Sequence, residues 1–307
     1  MRVQILSLND EKIRFILSGV TTALANALRR TIISEVPCMA IDDMFVFDNS
    51  SVIHDEVLAH RIGLVPIKTD LDRYVLPEDC ECGSELGCEK CRVVLTLDVE
   101  AETDARIILS GDFVSEDPEV VPVSPDIPLT KVTTGQAVRV EAYARLGQGK
   151  IHAKWQPVSS ATYQHVAEID VDEERCTACG ECVKSCPKDV FTIKEGKLRI
   201  VDVNSCILCG ECVKACPVDP TAVTQAAKPD SYLFTVESTG CLPPERLVFE
   251  AGKILVAKLD EFSEKIEKGE TDDIIAGFEP VEQQARGLYS VGSGDLDDDE
   301  EEEDEEP

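Results

Sequence analysis

The feature that most constrains this chain is a cysteine pattern that occurs twice. Residues 176–187 read CTACGECVKSCP and residues 206–217 read CILCGECVKACP, so both follow the spacing C-x2-C-x2-C-x3-C-P. Three closely spaced thiolates can hold three corners of one metal cluster, while the fourth, which stands before proline, points away from them. The fourth cysteine of each run is therefore expected to reach the metal held by the other run, and both runs must fold as one unit.

This spacing predicts two [4Fe–4S] clusters in a fold that resembles the bacterial-type ferredoxins, and one of them could be a [3Fe–4S] form. The predicted ligand sets are Cys176, Cys179, Cys182 and Cys216 for the first cluster, and Cys206, Cys209, Cys212 and Cys186 for the second. Residues 190–202 predict a hairpin that turns near Glu195 and Gly196. Two zinc ions are the alternative, but zinc sites do not usually repeat this series of spacings.

A separate group of four cysteines lies in residues 80–91. Cys80, Cys82, Cys88 and Cys91 follow the spacing C-x-C-x5-C-x2-C, with two glycines between them that allow tight turns. Four thiolates at such short spacing can close one tetrahedral zinc site. The alternative is a loop of unliganded cysteines, which would leave four thiols open to oxidation. The sequence therefore predicts one Zn²⁺ in this loop.

The other cysteines and the histidines do not extend these sites. Cys38 and Cys241 stand alone and are predicted to be small buried residues. The N-terminal residues do not resemble a signal peptide, and no run of about 18 apolar residues exists. Fourteen cysteines in such a chain predict metal ligands in the reducing cytoplasm rather than disulfides. The histidines lack neighbours at ligand spacing and are predicted to pack or to lie at the surface: His54, His60, His152 and His165.

The charge of the chain argues against a direct grip on nucleic acid. The formal net charge is -30, and residues 295–306 alone contain 11 acidic residues and no basic one. An acidic surface repels phosphate, so little direct nucleic-acid contact is expected. Residues 291–307 are predicted to form a disordered acidic tail, because like charges with few apolar groups cannot build a core.

Two amphipathic helices are predicted outside the cysteine runs. The first spans about residues 21–36, where Thr21 or Thr22 can cap the start and Pro37 ends it. The second opens at Pro243-Pro244 and runs to Gly269, with one apolar face and a charged one. Their apolar stripes contain Leu24, Ala25, Leu28 and Ile32 in the first helix, and Leu247, Ala251, Ile254, Leu255, Phe262 and Ile266 in the second.

Three stretches carry a family resemblance, in this order along the chain. ANALRR at 25–30, SVIHDEVLAHRIGLVPI at 51–67 and HAKWQPVSSA at 152–161 resemble the alpha-type subunits of RNA polymerases, and within that family its archaeal, D-type branch. With the C-terminal helix, the resemblance covers most of residues 1–290. Any one stretch alone would be weak evidence, but several in the right order are specific.

The resemblance implies a partner for the two helices. In the family, these helices carry the contact between alpha-type subunits, and the archaeal D-type subunit pairs with a smaller subunit, L. Small subunits N and P and the large catalytic subunits then join the pair. Carried onto this chain, the implied interface residues are Leu24, Leu28, Arg29, Ile32, Leu247, Ile254 and Phe262.

The predicted fold class is α+β, with one discontinuous domain and two insertions. Residues 1–48 and 225–290 are assigned to an alpha-type dimerisation domain, residues 49–167 to an inserted β-rich domain that holds the cysteine loop, and residues 168–224 to the ferredoxin-like domain. Strands are predicted at residues 2–8 and 12–18 (a hairpin), 40–47, 92–100 and 137–146, and around Tyr232–Val236, with a short helix at about 54–62.

Two functions from different classes remain. The first is a non-catalytic assembly subunit of a DNA-directed RNA polymerase, a nucleotidyltransferase, with iron–sulfur clusters that are structural or redox-sensing. No Walker loop and no acidic triplet for magnesium is visible in the sequence. The second is a ferredoxin-type electron-transfer protein. It ranks lower, because the cysteine runs occupy a small part of the chain and no flavin, haem or nucleotide motif is visible.

Overall fold

The computed structural model describes residues 1–84 and 87–269. The strands of this part, in chain order, are β1 (Arg2–Leu8), β2 (Lys12–Ser18), β3 (Pro37–Asn49), β4 (Arg92–Glu100), β5 (Arg106–Leu109), β6 (Val114–Ser115), β7 (Pro128–Val132), β8 (Ala137–Gln148), β9 (Val158–Val171), β10 (Phe191–Lys194), β11 (Lys197–Ile200) and β12 (Val223–Ser238). The helices are α1 (Thr22–Ser34), α2 (Asp55–Gly63), α3 (Glu181–Ser185), α4 (Glu211–Lys214) and α5 (Pro244–Lys268). The predicted acidic tail lies outside the described residues.

The chain divides into a unit of residues 1–256 and a unit of residues 257–307. The second unit is described only over residues 257–269, which contain the C-terminal part of α5. Within the described residues, none of the helices has the length and apolar character needed to cross a membrane.

The first sheet is antiparallel, with the strand order β1-β2-β12-β9. Alternating apolar residues of β2 and β12 point to one face of it, where the rings of Phe15 and Phe234 stack with centroids 5.0 Å apart. Helix α1 contributes Ala25 and Ile32 to this core, and the start of α5 contributes Leu247. Both predicted amphipathic helices therefore bury part of their apolar stripes within this chain.

The second sheet is also antiparallel, with the order β3-β8-β4-β6. Its core contains Leu58 and Ile62 of α2 and the inward residues of β4 and β8. The hairpin, the helix at the N-terminal side and the strands at 40–47, 92–100 and 137–146 are confirmed as β1–β2, α1, β3, β4 and β8. Strand β3 begins earlier than predicted, at Pro37, because it pairs with β8 from that residue onward.

Residues 172–222, here called the cysteine-rich module, carry a third core. The predicted hairpin is present as β10 and β11. Val190, Phe191 and Leu198 pack there with Cys182, Cys206 and Cys212 and with Ala167 and Val223 from the ends of β9 and β12. The module thus stands on the paired ends of two strands that also belong to the first sheet.

The sheets divide the chain differently from the boundaries predicted from sequence. Strand β9 runs through the predicted boundary between residues 167 and 168, and β12 runs through the one between 224 and 225. Residues 37–48 pair with β8 in the second sheet, but they serve both cores: Cys38 and Ala40 pack in the first core with α1, and Met39 and Ile41 pack in the second. The α+β class is confirmed. The boundaries between the cores, however, lie within long strands that contribute to two cores each, and not in the loops between strands.

A buried carboxylate lies beside the second core. The Asp117 side chain is 6% exposed and accepts hydrogen bonds from the Tyr74 hydroxyl and the backbone N–H of Glu119, with Arg73 Nη1 2.6 Å from its Oδ2. The Tyr74 hydrogen bond, supported by Glu119 and Arg73 and opposed by burial, lowers the pKa of Asp117. Burial and the same carboxylate raise the pKa of Tyr74 to about 12.

The lowered pKa predicts a pH-dependent contribution to stability. It is present above the unfolded-state pKa of an aspartate and is lost as pH falls through the lower folded-state pKa. We expect Asp117→Asn to destabilise the protein at pH 7 and the gap to the parent to shrink toward pH 3 in urea unfolding. The exposed Asp126→Asn is the matched control, with little effect throughout. A gap that widens on acidification would contradict this assignment.

Candidate metal centres and assembly surface

The four cysteines of residues 80–91 converge on one point. The Sγ atoms of Cys80 and Cys88 are 3.7 Å apart, those of Cys82 and Cys91 are 3.9 Å apart, and those of Cys88 and Cys91 are 3.8 Å apart. All four lie within 4.8 Å of one another. With Zn–S bonds of about 2.3 Å, a tetrahedral site has S···S edges of about 3.8 Å. The four thiols therefore have the spacing that a tetrahedral Zn²⁺ requires.

The surroundings of Cys88 and Cys91 shift the pKa values of these two thiols in opposite directions. The backbone N–H of Lys90 is the main cause that lowers the pKa of Cys88 to about 7. Burial raises the pKa of Cys91 to about 12, although the backbone N–H of Cys88 donates to its Sγ over 3.1 Å. A buried thiolate needs a nearby cation to remain ionised at neutral pH, so this donor set fits a metal better than it fits four free thiols.

The first predicted iron–sulfur set lines one cavity. Cys176, Cys179, Cys182 and Cys216 all line the same small cavity. The other side chains around it are mainly apolar, among them Leu198, Val218, Ala222 and Val223. The fourth cysteine of the second run thus lies with the first three of the first run.

The second set lines a separate cavity in the same crossed manner. Cys206, Cys209, Cys212 and Cys186 line it together with Val190, Phe191 and Ile207. Cys212 Sγ lies 3.5 Å from Oε1 of Gln225. Eight cysteines are therefore divided by the fold into the two sets of four that the spacing predicts.

The backbone of both loops has the same unusual conformation. The residue before the second cysteine has a positive φ in each run, 53° at Ala178 and 57° at Leu208, and the glycine after that cysteine has φ of 82° at Gly180 and 77° at Gly210. Left-handed residues of this kind turn successive N–H groups toward a concave centre, a geometry that binds anions and sulfur clusters. The backbone N–H of Leu208 lies 3.4 Å from Cys206 Sγ.

Burial sets the protonation of the innermost thiol in each cavity. Desolvation, followed by repulsion from neighbouring cysteines, raises the pKa of Cys182 and of Cys212. Without a cation these thiols keep their protons, whereas metal coordination replaces the proton. Four thiols in an apolar cavity with inward N–H groups fit an iron–sulfur cluster by this chemistry.

Helices α1 and α5 present both buried and exposed apolar residues. Helix α1 starts as predicted, because Thr21 caps it by accepting a hydrogen bond from the backbone N–H of Leu24 over 3.3 Å. Leu24 itself is 40% exposed, whereas Ile32, two turns further along the same helix, is completely buried. On α5, Phe249 and Val256 are exposed in the first unit. Apolar surface remains on both helices.

Comparison with known proteins shows which family a chain with these sheets and helices belongs to. Residues 14–259 match the family described as the RNA polymerase Rpb3/Rpb11 dimerisation domain. The chain belongs to the Rpb3/Rpb11 family. The matched region covers α1, both four-stranded sheets beyond β1, the cysteine-rich module and most of α5.

Individual members of the Rpb3/Rpb11 family are similar over almost their full length. The chain is 44% identical to DNA-directed RNA polymerase subunit Rpo3 of Archaeoglobus fulgidus, over 87% of this chain and 98% of the relative. It is 36% identical to Rpo3 of Methanosphaera stadtmanae, over 85% and 96%. It is 35% identical to Rpo3 of Pyrococcus horikoshii, over 87% and 98%. These relatives are subunits of a nucleotidyltransferase complex.

The interface residues implied by the family resemblance fall into three groups. Ile32 and Leu247 are completely buried in this chain's own core, so they shape the helices from within. Leu28, Arg29 and Ile254 are half-buried, and Leu28 and Ile254 pack against that same core. Leu24 and Phe262 are exposed, the latter in the second unit.

Sequence reasoning missed the contacts that fix the start of α1. The Tyr232 hydroxyl lies 2.7 Å from Oγ1 of Thr22, and Tyr232 is almost completely buried. His165, predicted to pack or to lie at the surface, packs against Tyr232 with the two rings tilted and their centroids 4.9 Å apart. A buried tyrosine in a predicted strand is the signal that could have indicated such a partner, because a buried hydroxyl needs a hydrogen bond.

Proposed function

We propose that this chain is a non-catalytic assembly subunit of archaeal DNA-dependent RNA polymerase, working in the cytoplasm. The observation that carries the proposal is the Rpb3/Rpb11 family match across residues 14–259, which includes α1 and most of α5. In the proposed assembly the chain pairs with subunit L. The pair then forms the platform for the small subunits N and P and for the large catalytic subunits.

Apolar surface on the first unit supports this pairing. Leu24 of α1 and Phe249 and Val256 of α5 are exposed to between 40% and 58%. Exposed apolar side chains on the helices of a dimerisation family are surface that a partner helix can cover. Ile32 and Leu247, on the inner sides of the same helices, anchor them to the first sheet. Each helix can thereby present its exposed apolar side chains to subunit L from a fixed position.

Co-expression tests the pairing directly. The full chain and subunit L, purified anaerobically, are expected to elute as a 1:1 heterodimer in size-exclusion chromatography with light scattering. Elution of the two chains as separate species at micromolar concentration would contradict the proposed function, whatever the metal content.

The proposed cofactors are two [4Fe–4S] clusters, one of which could be [3Fe–4S]. The crossed cysteine sets, the apolar cavities and the left-handed loops support them. A bound cluster supplies four iron–thiolate bonds and a centre that can gain or lose an electron. The chain's own residues supply the rest: Cys182 and Cys212 enter from α3 and α4, while Val190 and Phe191 exclude water. We propose that the clusters stabilise the module and that their oxidative loss weakens assembly.

The loop at residues 80–91 is proposed to hold one structural Zn²⁺. We expect Cys82→Ser to lower the zinc content of the purified chain from about one atom to well below half an atom, because a closed site needs all four ligands. Elemental analysis by mass spectrometry measures zinc and iron together, and iron should stay unchanged. Glu81→Gln, at the exposed neighbouring residue, is the control. A parent protein free of zinc would show that these are unliganded thiols.

Electron transfer is the second candidate, and one observation favours it. Cys179 and Cys209, one from each set, are exposed, so both cavities approach the surface. A ferredoxin-type protein would use such an edge to meet a redox partner. The family match and the dimerisation helices support the assembly function more strongly, and the partners recovered with the chain distinguish the two.

A further inference from the structure

The cysteine-rich module and the start of α1 meet at one stretch of the first sheet. Strands β9 and β12 pair continuously from Val223 opposite Val171 to Ser238 opposite Val158, apart from irregularities in register. The module packs on one end of this ribbon and the dimerisation core on the other. The contacts between these two ends involve neither the cysteine thiols nor the exposed apolar side chains of the helices.

The first contact holds a metal-ligand loop against β9. The turn Val203–Ser205 leads directly into Cys206, the first cysteine of the second set. The side-chain amide of Gln164 donates to the backbone carbonyls of Asn204 and Cys206, both over 3.4 Å. Gln164 therefore holds the loop that leads into Cys206 against β9.

The second contact runs from the next residue of β9 to α1. His165 is the register partner of Tyr232 on β12, and their rings are 4.9 Å apart. The hydroxyl of Tyr232 lies 2.7 Å from Oγ1 of Thr22, the first residue of α1. A helix start has unpaired backbone N–H groups and frays easily, so a side-chain tie at this residue has a large local effect.

The third contact comes from an irregularity in β12. The register shifts between Ala227 and Tyr232, and Asp230 within this bulge has φ of 50°. The carbonyl of Asp230 accepts a hydrogen bond from the backbone N–H of Gly19 over 2.7 Å. Gly19 lies in the connection between β2 and α1. The bulge thus holds the chain just before the helix, while Tyr232 holds its first residue.

We propose that Gln164, Tyr232 and the Asp230 bulge are positioning residues that make the order of the first turn of α1 depend on the state of the second cysteine set. This inference rests on the proposed function, because it takes α1 as the dimerisation helix and the cysteines as metal ligands. When the four cysteines are held together, the Cys206 loop stays bonded to Gln164 and the ribbon stays rigid. When they are released, the loop leaves β9, Tyr232 loosens and the first turn of α1 frays.

Hydrogen–deuterium exchange on the full chain tests the inference. Protein purified anaerobically with its iron is compared with protein stripped by ferricyanide and EDTA. In the parent, peptides covering residues 19–28 are expected to exchange about tenfold faster after stripping. In Tyr232→Phe and in Thr22→Val the same peptides should exchange fast even with iron bound. Stripping the iron should then change their exchange rate by less than about twofold. The control Tyr163→Phe removes a hydroxyl from the ring that packs edge-on against Tyr232 and should behave like the parent.

The double variant Tyr232→Phe with Thr22→Val sharpens the test. Because both changes break the same hydrogen bond, the double variant should exchange no faster than either single variant. Full additivity, or a tenfold response to stripping that persists in Tyr232→Phe, would overturn the inference and leave the proposed function intact. A parent chain without iron would instead overturn the proposed cofactors, and this inference with them.

Discussion

Replacing Cys206, Cys209 and Cys212 with serine will remove one of the two proposed clusters and weaken assembly into the polymerase. These residues supply three of the four thiols around the second cavity, and two of them pack in the module's own core. A module of about 50 residues has little apolar core of its own and depends on metal–ligand bonds for its fold. We expect iron to fall from about eight to about four atoms per chain.

The assembly readout is the amount of this chain recovered with the large catalytic subunits from cells that express the variant. We expect at least a severalfold decrease relative to the parent, and a similar decrease when the parent itself is exposed to air. Cys241→Ser is the control, since Cys241 is buried but belongs to none of the three cysteine groups. Normal recovery of the triple variant, with or without air, would show that the clusters have no part in assembly.

Aspartate at Leu24 will disrupt pairing with subunit L while leaving the fold of the chain intact. Leu24 is 40% exposed on α1, so a charge there meets water in the free chain but is buried by a partner helix. Burying an unpaired charge costs about 2 kcal/mol or more, which corresponds to a ~30-fold weaker complex. Titration calorimetry of the heterodimer measures this loss, and helical circular dichroism should be unchanged.

The choice of this residue depends on the structure. Leu28 lies on the same predicted stripe but packs against the first core, so Leu28→Asp would also destabilise the chain itself. Ala23→Asp is the matched control, because Ala23 is an exposed neighbour of Leu24 on a different side of the helix. If Leu24→Asp binds subunit L as tightly as the control, the interface lies elsewhere on the chain.

Local patterns in the sequence predicted most of what is local in the structure. The hairpin β1–β2, the cap at Thr21 and the end of α5 at Gly269 depend on neighbours within a few residues, and each is present. The crossed division of the eight cysteines was also predictable, because the spacing before each proline dictates which way the fourth thiol points.

The sequence did not predict how the chain passes between its cores. Strands β9 and β12 are separated by the whole cysteine-rich module, and each serves two cores along its length. Polar residues therefore interrupt the apolar–polar alternation along β9 and β12. For this reason the domain boundaries predicted from the sequence fell inside these two strands. Strand pairing over such separations depends on tertiary contacts that a periodic pattern does not contain.

The periodicity of apolar residues also could not show which residues of the helix stripes pack within this chain and which remain exposed for a partner. Leu24 and Ile32 both count as apolar residues of α1, yet one is exposed and the other is completely buried. Ion pairs at long range are equally hidden in the sequence. Asp42 of β3 lies between Arg145 of β8 and Lys154, which are over one hundred residues away along the chain.

The most direct test of the assembly function is an anoxic affinity purification of the tagged full chain from its own cells, followed by mass spectrometry of the proteins that accompany it. If the chain is an assembly subunit, subunit L and the large polymerase subunits are expected in near-stoichiometric amounts, with iron still bound to the chain. Recovery with a reductase or hydrogenase, and without polymerase subunits, would contradict this expectation and assign the function to the cysteine-rich module as an electron-transfer protein.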